Sequence, residues 1–96
     1  MSMRPSFKFR LYVAGDTQNS AQAMNNLTAL CREHLPDDHE IEIVDVFRHP
    51  KRALADGIFM TPTLVKLAPL PVRKIVGTLS NRELVLQTVG MELVTA

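Results

Sequence analysis

Apolar and polar side chains alternate over residues 7–14. Phe7, Phe9, Leu11 and Val13 fall on one side, and Lys8, Arg10 and Tyr12 on the other. A period of two predicts a strand with one buried face. Gly15, Asp16 and Thr17 end it, and Asn19 or Ser20 is placed to cap the next element. Over residues 20–35 the period lengthens. Ala23, Met24, Leu27, Leu30, Cys31 and His34 share one stripe at spacings of three and four, which predicts a helix. Pro36 stops it, because the residue before a proline avoids helical backbone. Asp37-Asp38-His39 makes a polar turn. Residues 40–46 then alternate again, with Ile41, Ile43 and Val44 inward and Glu40 and Glu42 keeping one face or edge wet. Strand, helix and strand form a βαβ unit, parallel and with a right-handed crossover.

The second half changes style. Arg48-His49-Pro50 opens a short helix with Pro50 in its first turn. Lys51 to Asp56 continue it, and Gly57 stands just past its end. Two apolar strands come next, Leu64–Leu67 and Val72–Val76, joined by Pro69-Leu70-Pro71. Pro62 comes just before the first, where its missing donor does no harm. The Thr61-Pro62-Thr63 stretch resembles the cis-proline loop of thioredoxin-like folds, so a cis bond is expected there in such a fold. Pro62, Pro69 and Pro71 either fix a turn and two strand ends or act as conformational latches. Ser80-Asn81-Arg82-Glu83 reads as a capping box. The last helix runs through Leu84, Val85, Leu86, Val89 and Leu93. Gly90 and the β-branched Val85, Thr88, Val89, Val94 and Thr95 weaken it. It either frays or belongs to a segment with a second conformation. The whole order, βαβαββα, is the α/β arrangement of thioredoxin.

Composition narrows the chemistry. Ninety-six residues suit one domain with a modest core. Apolar residues make up 46% and charged residues 22%, which is ordinary for a globular chain. A net charge of +1 argues against a dedicated nucleic-acid binder. No run approaches the ~18 apolar residues of a membrane span. Met1 to Pro5 contain no apolar signal core, so a cytoplasmic protein is expected. Cys31 is the single cysteine. It allows no internal disulfide and no CxxC motif, so thiol–disulfide exchange is excluded and Cys31 reads as a core residue. Thioredoxins carry their CxxC after the first strand; here Asp16-Thr17-Gln18-Asn19-Ser20 stands instead. His34, His39 and His49 lack metal-ligand spacing, so neither metal nor cofactor is expected. His34 sits where a helix C-terminus favours a cation.

Several blocks, in order and without gaps, carry a resemblance. They are Leu11-Tyr12-Val13-Ala14-Gly15, with Thr17, Asn19 and Ser20; Val44-Asp45-Val46; Pro50; Thr61-Pro62-Thr63-Leu64; Leu70-Pro71-Val72-Arg73; Gly77-Thr78-Leu79-Ser80; and Arg82-Glu83. Over residues 7–90 the chain resembles the KaiB family of circadian clock proteins. The input domain of the sensor kinase SasA is a weaker match. The resemblance implies a non-enzymatic protein that docks on a KaiC-type ATPase ring and associates with itself as a dimer or tetramer. It also implies two folds: the thioredoxin-like one, and a resting one ordered βαββααβ. On this division residues 1–6 are a tail, 7–46 stay put and 50–96 switch. The expected partner surface comprises Tyr12, Glu40, Glu42, Asp45, Lys66, Arg73 and Lys74. The expected switch positions are Gly15, Pro62, Pro69, Pro71, Thr88 and Gly90. Tyr12 is either an interface anchor or the cover for a helix.

The chain departs from clock relatives in two places. Gln22, Asn25 and Glu42 stand where those relatives carry basic residues, which makes KaiA a doubtful partner. Thr88 and Gly90 replace a glycine and an aspartate. The alternatives are a glutathione- or peptide-binding thioredoxin fold without redox cysteines, and a stress-related relative outside the clock. Against glutathione stands the lack of a basic residue near the first loop.

Overall fold

The computed structural model describes residues 6–90. The elements are β1 (Phe7–Val13), α1 (Gln18–His34), β2 (His39–Asp45), α2 (Pro50–Ala55), β3 (Thr63–Ala68), β4 (Arg73–Val76) and α3 (Arg82–Val89). The order is the expected thioredoxin-like βαβαββα. The expected tail before Ser6 and the continuation of the last helix to Leu93 lie outside the described residues.

The four strands lie in the order β2-β1-β3-β4. β2 runs parallel to β1, with Phe9 beside Ile41 and Tyr12 beside Val44. β3 is antiparallel to both β1 and β4. One face of the sheet carries Phe9, Leu11, Val13 and Leu64, closed by Ala23, Leu27, Leu30 and Cys31 of α1 and Val85, Leu86 and Val89 of α3. Each large aliphatic side chain buried there is worth about 1.5–3 kcal/mol. The other face carries Tyr12, Val44 and Val65 under Ala53 and Ile58.

Several local expectations shift. Tyr12 is 0% exposed, because α2 covers the face of β1 that looked polar. Ile43 is 46% exposed, because β2 is an edge strand and the buried residue is Val44. α1 begins at Gln18, with Thr17 as its cap accepting from the Ser20 amide. Ser20 is buried instead, and its hydroxyl accepts from the Ala14 amide at 3.1 Å. The cap of α3 is Asn81, whose side chain accepts from the Leu84 amide at 3.1 Å. Ser80 is not the cap; its hydroxyl meets Thr78 Oγ1 at 2.7 Å. Gly90 lies at φ 75° as the left-handed cap that ends α3, and so is no weak point inside it.

Two features join loops to the first core. Asn26 Nδ2 donates to the Thr78 carbonyl at 2.8 Å. Leu79 sits at φ 64°, a backbone region disfavoured for leucine, with its side chain buried in that core. Core packing holds it there.

Candidate functional site

The β1 connection leaves on the α1 side of the sheet and the β2 connection on the α2 side. Adjacent parallel strands with connections leaving on opposite faces open a crevice at their carboxyl ends. Asp45 fixes its walls. Its Oδ1 accepts from the Gly15 amide at 3.3 Å and the Phe47 amide at 2.9 Å. Gly15 takes φ +54°, and Phe47 lies over it, 3.7 Å from where a Cβ would stand.

The crevice has two parts. One, about 330 Å³, is lined by Gly15, Asp16, Met24, Asp45, Arg48 and His49 among others. Arg48 and His49 are therefore basic groups at the first loop, which corrects the sequence argument against glutathione. The signal lay in β2: its carboxyl end delivers the residues after Val46 to the same place as the first loop. The second part, about 180 Å³, is lined by Ala14, Val46, Ile58, Thr61, Phe47, Phe59 and Met60. Phe47, Phe59 and Met60 are 74%, 86% and 64% exposed. All three gather around one cleft. None of the three was among the expected partner residues. They come after strand and helix ends, where no periodicity separates an exposed apolar residue from a buried one.

The expected partner residues do not form one surface. Glu40 is exposed on the β2 edge. Glu42 is also exposed but engaged: its Oε1 accepts from Arg52 Nη2 at 2.9 Å and Arg10 Nε at 2.7 Å. Those two guanidinium contacts hold its carboxyl down to about 2. Asp45 is turned to the Gly15 and Phe47 amides. Tyr12 donates to Asp56 Oδ2 and lies 3.3 Å from the Arg52 carbonyl. At 0% exposure it covers a helix and offers nothing to a partner in this fold. Burial, with the neighbouring Asp56 carboxylate, raises its phenol above the usual range.

The basic residues are divided. Lys66 is 4% exposed, beside Phe9 and Arg73 on the α1/α3 side. Burial and then the Arg73 charge lower its ammonium below the usual range. Arg73 and Lys74, as neighbours on β4, point to opposite faces. Lys74 Nζ donates to the Asp56 carbonyl on the α2 side. So Arg73 is the member of the trio free at the surface among the described residues.

The expected switch positions other than Gly15 lie on β3, β4, α3 and the loops around them. The Thr61–Pro62, Ala68–Pro69 and Leu70–Pro71 bonds are all cis. Pro62 is buried just before β3, and Pro69 and Pro71 are exposed in the loop between β3 and β4. Thr88 Oγ1 donates back to the Leu84 carbonyl at 2.7 Å. Cys31 is fully buried, and burial pushes its thiol up to about 11, far from a reactive thiolate. Among the described residues no cluster of three metal-ligating side chains occurs. No helix of the described residues is long and apolar enough to cross a membrane.

Comparison with solved structures confirms the scaffold. The N-terminal domain of SasA from Synechococcus elongatus superposes with a TM-score of 0.74 over 100% of this chain and 94% of that one, at 14% identity. Mitochondrial thioredoxin 3 from Saccharomyces cerevisiae gives 0.72 over 92% and 80%, at 19% identity. Those likenesses carry the fold alone. Sequence goes further. The circadian clock oscillator protein KaiB of Synechococcus elongatus is 42% identical over 93 residues, 97% of this chain and 89% of that protein. The circadian clock protein KaiB3 of Synechocystis is 42% identical over 85 residues, 88% of this chain and 81% of that protein. The KaiB domain itself matches residues 10–91, and the chain belongs to the KaiB family of circadian clock proteins.

Proposed function

We propose that this chain docks on a KaiC-type ATPase ring and modulates its phosphorylation cycle by contact, without catalysing a reaction itself. One observation carries the reading: a member of the KaiB family gathers exposed Phe47, Phe59 and Met60 around one cleft. Such a patch is stable in water only at a cost, and a partner removes it. Glu40 and Arg73, exposed on the two edge strands, would set encounter rate and register more than affinity. Self-association as a dimer or tetramer, and a second fold from about residue 50 onward, belong to the same reading. A partner that binds one of two folds draws the population toward it by its differential affinity. KaiA is left out, and the cytoplasm is where such an encounter would occur.

The test is size-exclusion chromatography with light scattering, on the protein alone and with a purified KaiC-type ATPase in ATP or ADP. Migration with the ATPase hexamer in either nucleotide, weakened by Phe59→Ser, supports the reading. A protein that never joins the ATPase overturns it.

A second reading draws on Arg48 and His49 beside Gly15 and Asp16. That cleft offers the Arg48 guanidinium to a carboxylate of glutathione or an extended peptide. Retention on immobilised glutathione, with elution by free glutathione, would support it. Passage in the flow-through would remove it.

A further inference from the structure

α2 is an insecure element by itself. It has six residues, no side-chain cap and one buried residue, Ala53. A helix so short does not persist in water without tertiary contacts. Its apolar hold on the sheet comes from Ala53 and, just past its end, Ile58. The remaining contacts are polar, and they converge on its C-terminus. Asp56 Oδ2 accepts from Arg10 Nη1 at 3.0 Å and from the Tyr12 phenol. The Asp56 carbonyl accepts from Lys74 Nζ. One turn earlier, Arg52 reaches Glu42 at 2.9 Å on the oxygen that also holds Arg10. β1, β2 and β4 thus each grip α2 through a charged group. Underneath lie Tyr12, Val44 and Val65, all 0–2% exposed.

The geometry points to α2 as a releasable cover with Asp56 as its fastening point. Release bares Tyr12, Val44 and Val65 while the α1/α3 side of the sheet stays folded. Asp56 outranks Glu42 here because its carboxylate meets two side chains of β1, an inner strand, in a less exposed place. Charge-assisted hydrogen bonds gain strength where water is scarce. The release is local. It differs from a change of fold over residues 50–96, in which β3 and β4 would move as well.

Asp56→Ala tests the fastening by amide hydrogen exchange. The reporter amides are Ala53, Asp56, Gly57 and Ile58, each hydrogen-bonded within α2 or its end. They should exchange about tenfold to a hundredfold faster, with α1 and β1 amides changed less than about twofold. Asp56→Asn, which keeps the shape, should give a smaller rise. Unchanged α2 exchange overturns the proposal. So does faster exchange spread evenly over β3, β4 and α3. If Asp56→Ala does not fold, Asp56→Asn and Glu42→Gln carry the same readouts, and an unmoved α2 in both decides against release.

Discussion

The two faces of one sheet are built on different principles. β1 supplies both: Phe9, Leu11 and Val13 to one side, Arg10 and Tyr12 to the other. Among the described residues the α1/α3 side closes over twelve buried residues, the α2 side over five. On the first side stability scales chiefly with buried area and rests on no single directed contact. On the second, polar side chains set the position of a helix that could not hold itself. Area makes a fold persist, whereas directed contacts make an element movable. A cluster of charges is secure only while every member is paired, and one loss leaves the desolvation of the others without compensation.

The largest effect should come from the apolar side. Leu27→Ala opens a cavity in the cluster that holds Leu11, Leu30 and Leu86, and should cost about 2–5 kcal/mol in urea unfolding with the slope unchanged. Tyr12→Phe keeps the volume and removes only the hydroxyl from Asp56. It should cost less, about 1–3 kcal/mol, because Asp56 keeps Arg10. If Tyr12→Phe cost as much as Leu27→Ala, the distinction between the faces would fail.

Proton uptake sharpens the same contrast. The Tyr12 hydrogen bond and then Arg10 hold Asp56 below its ordinary 3.8. A carboxylate depressed in the fold lends stability above the unfolded pKa and loses it as pH falls through the folded one. Tyr12 is raised above its ordinary 10.0, chiefly by burial. A raised group lends stability below the unfolded pKa and loses it as pH rises through the folded one. The α2 fastening should therefore hold level from about pH 4 to about pH 10 and weaken on either side. Ultraviolet titration should place the Tyr12 midpoint above 10.0, and Asp56→Ala should bring it back toward that value. A midpoint equal in both proteins would mean that Asp56 does not hold the phenol.

The first face was legible in the sequence and the second was not, for a physical reason. Phe9, Leu11, Val13 and the α1 stripe announce themselves by period, because burial selects residue type at every turn. Arg10, Glu42, Arg52 and Asp56 are ordinary charged residues up to 46 positions apart in the chain. Strand pairing sets Arg10 beside Glu42, only the covering of β1 by α2 adds Arg52 and Asp56, and no local pattern encodes that. Tyr12 illustrates the gap: alternation placed it on the correct side, but the side was misread as wet. The caps slipped by a residue or more for a smaller reason. Thr17, Asn19, Ser20, Ser80 and Asn81 are all competent caps, and tertiary contacts chose among them. The crevice was half legible. Gly15 and Asp45 were singled out, whereas Phe47 and Phe59 carry no signal until the loops are in space.

Gly15 stands where the two faces meet, at the crevice. Gly15→Ala has room beside Phe47, so its penalty is conformational: a left-handed backbone costs a residue with a Cβ about 1–2 kcal/mol. The loss should appear as a lower Tm with the spectrum of the folded state intact. No loss would mean that the Asp45 bridge to the Gly15 amide tolerates another backbone, and that the crevice walls are softer than this bridge implies.

The smallest effect separates ion pairs by where they sit. Arg82 and Glu33 join α3 to α1, with 52% and 56% of their side chains exposed. Arg10, on β1, is 23% exposed. Water screens the first pair, and ordering two long side chains offsets most of what remains. Arg82 also stands in the first turn of α3, where a positive charge opposes the helix dipole, so removing it relieves one cost as it loses a contact. Arg82→Ala should leave Tm unmoved in ordinary salt, while Arg10→Ala lowers it and frees α2. Should Arg82→Ala lower Tm as much as Arg10→Ala, exposure would not be the variable that ranks these pairs. The special standing of the cluster under α2 would then have to rest on Tyr12 and Asp56 alone.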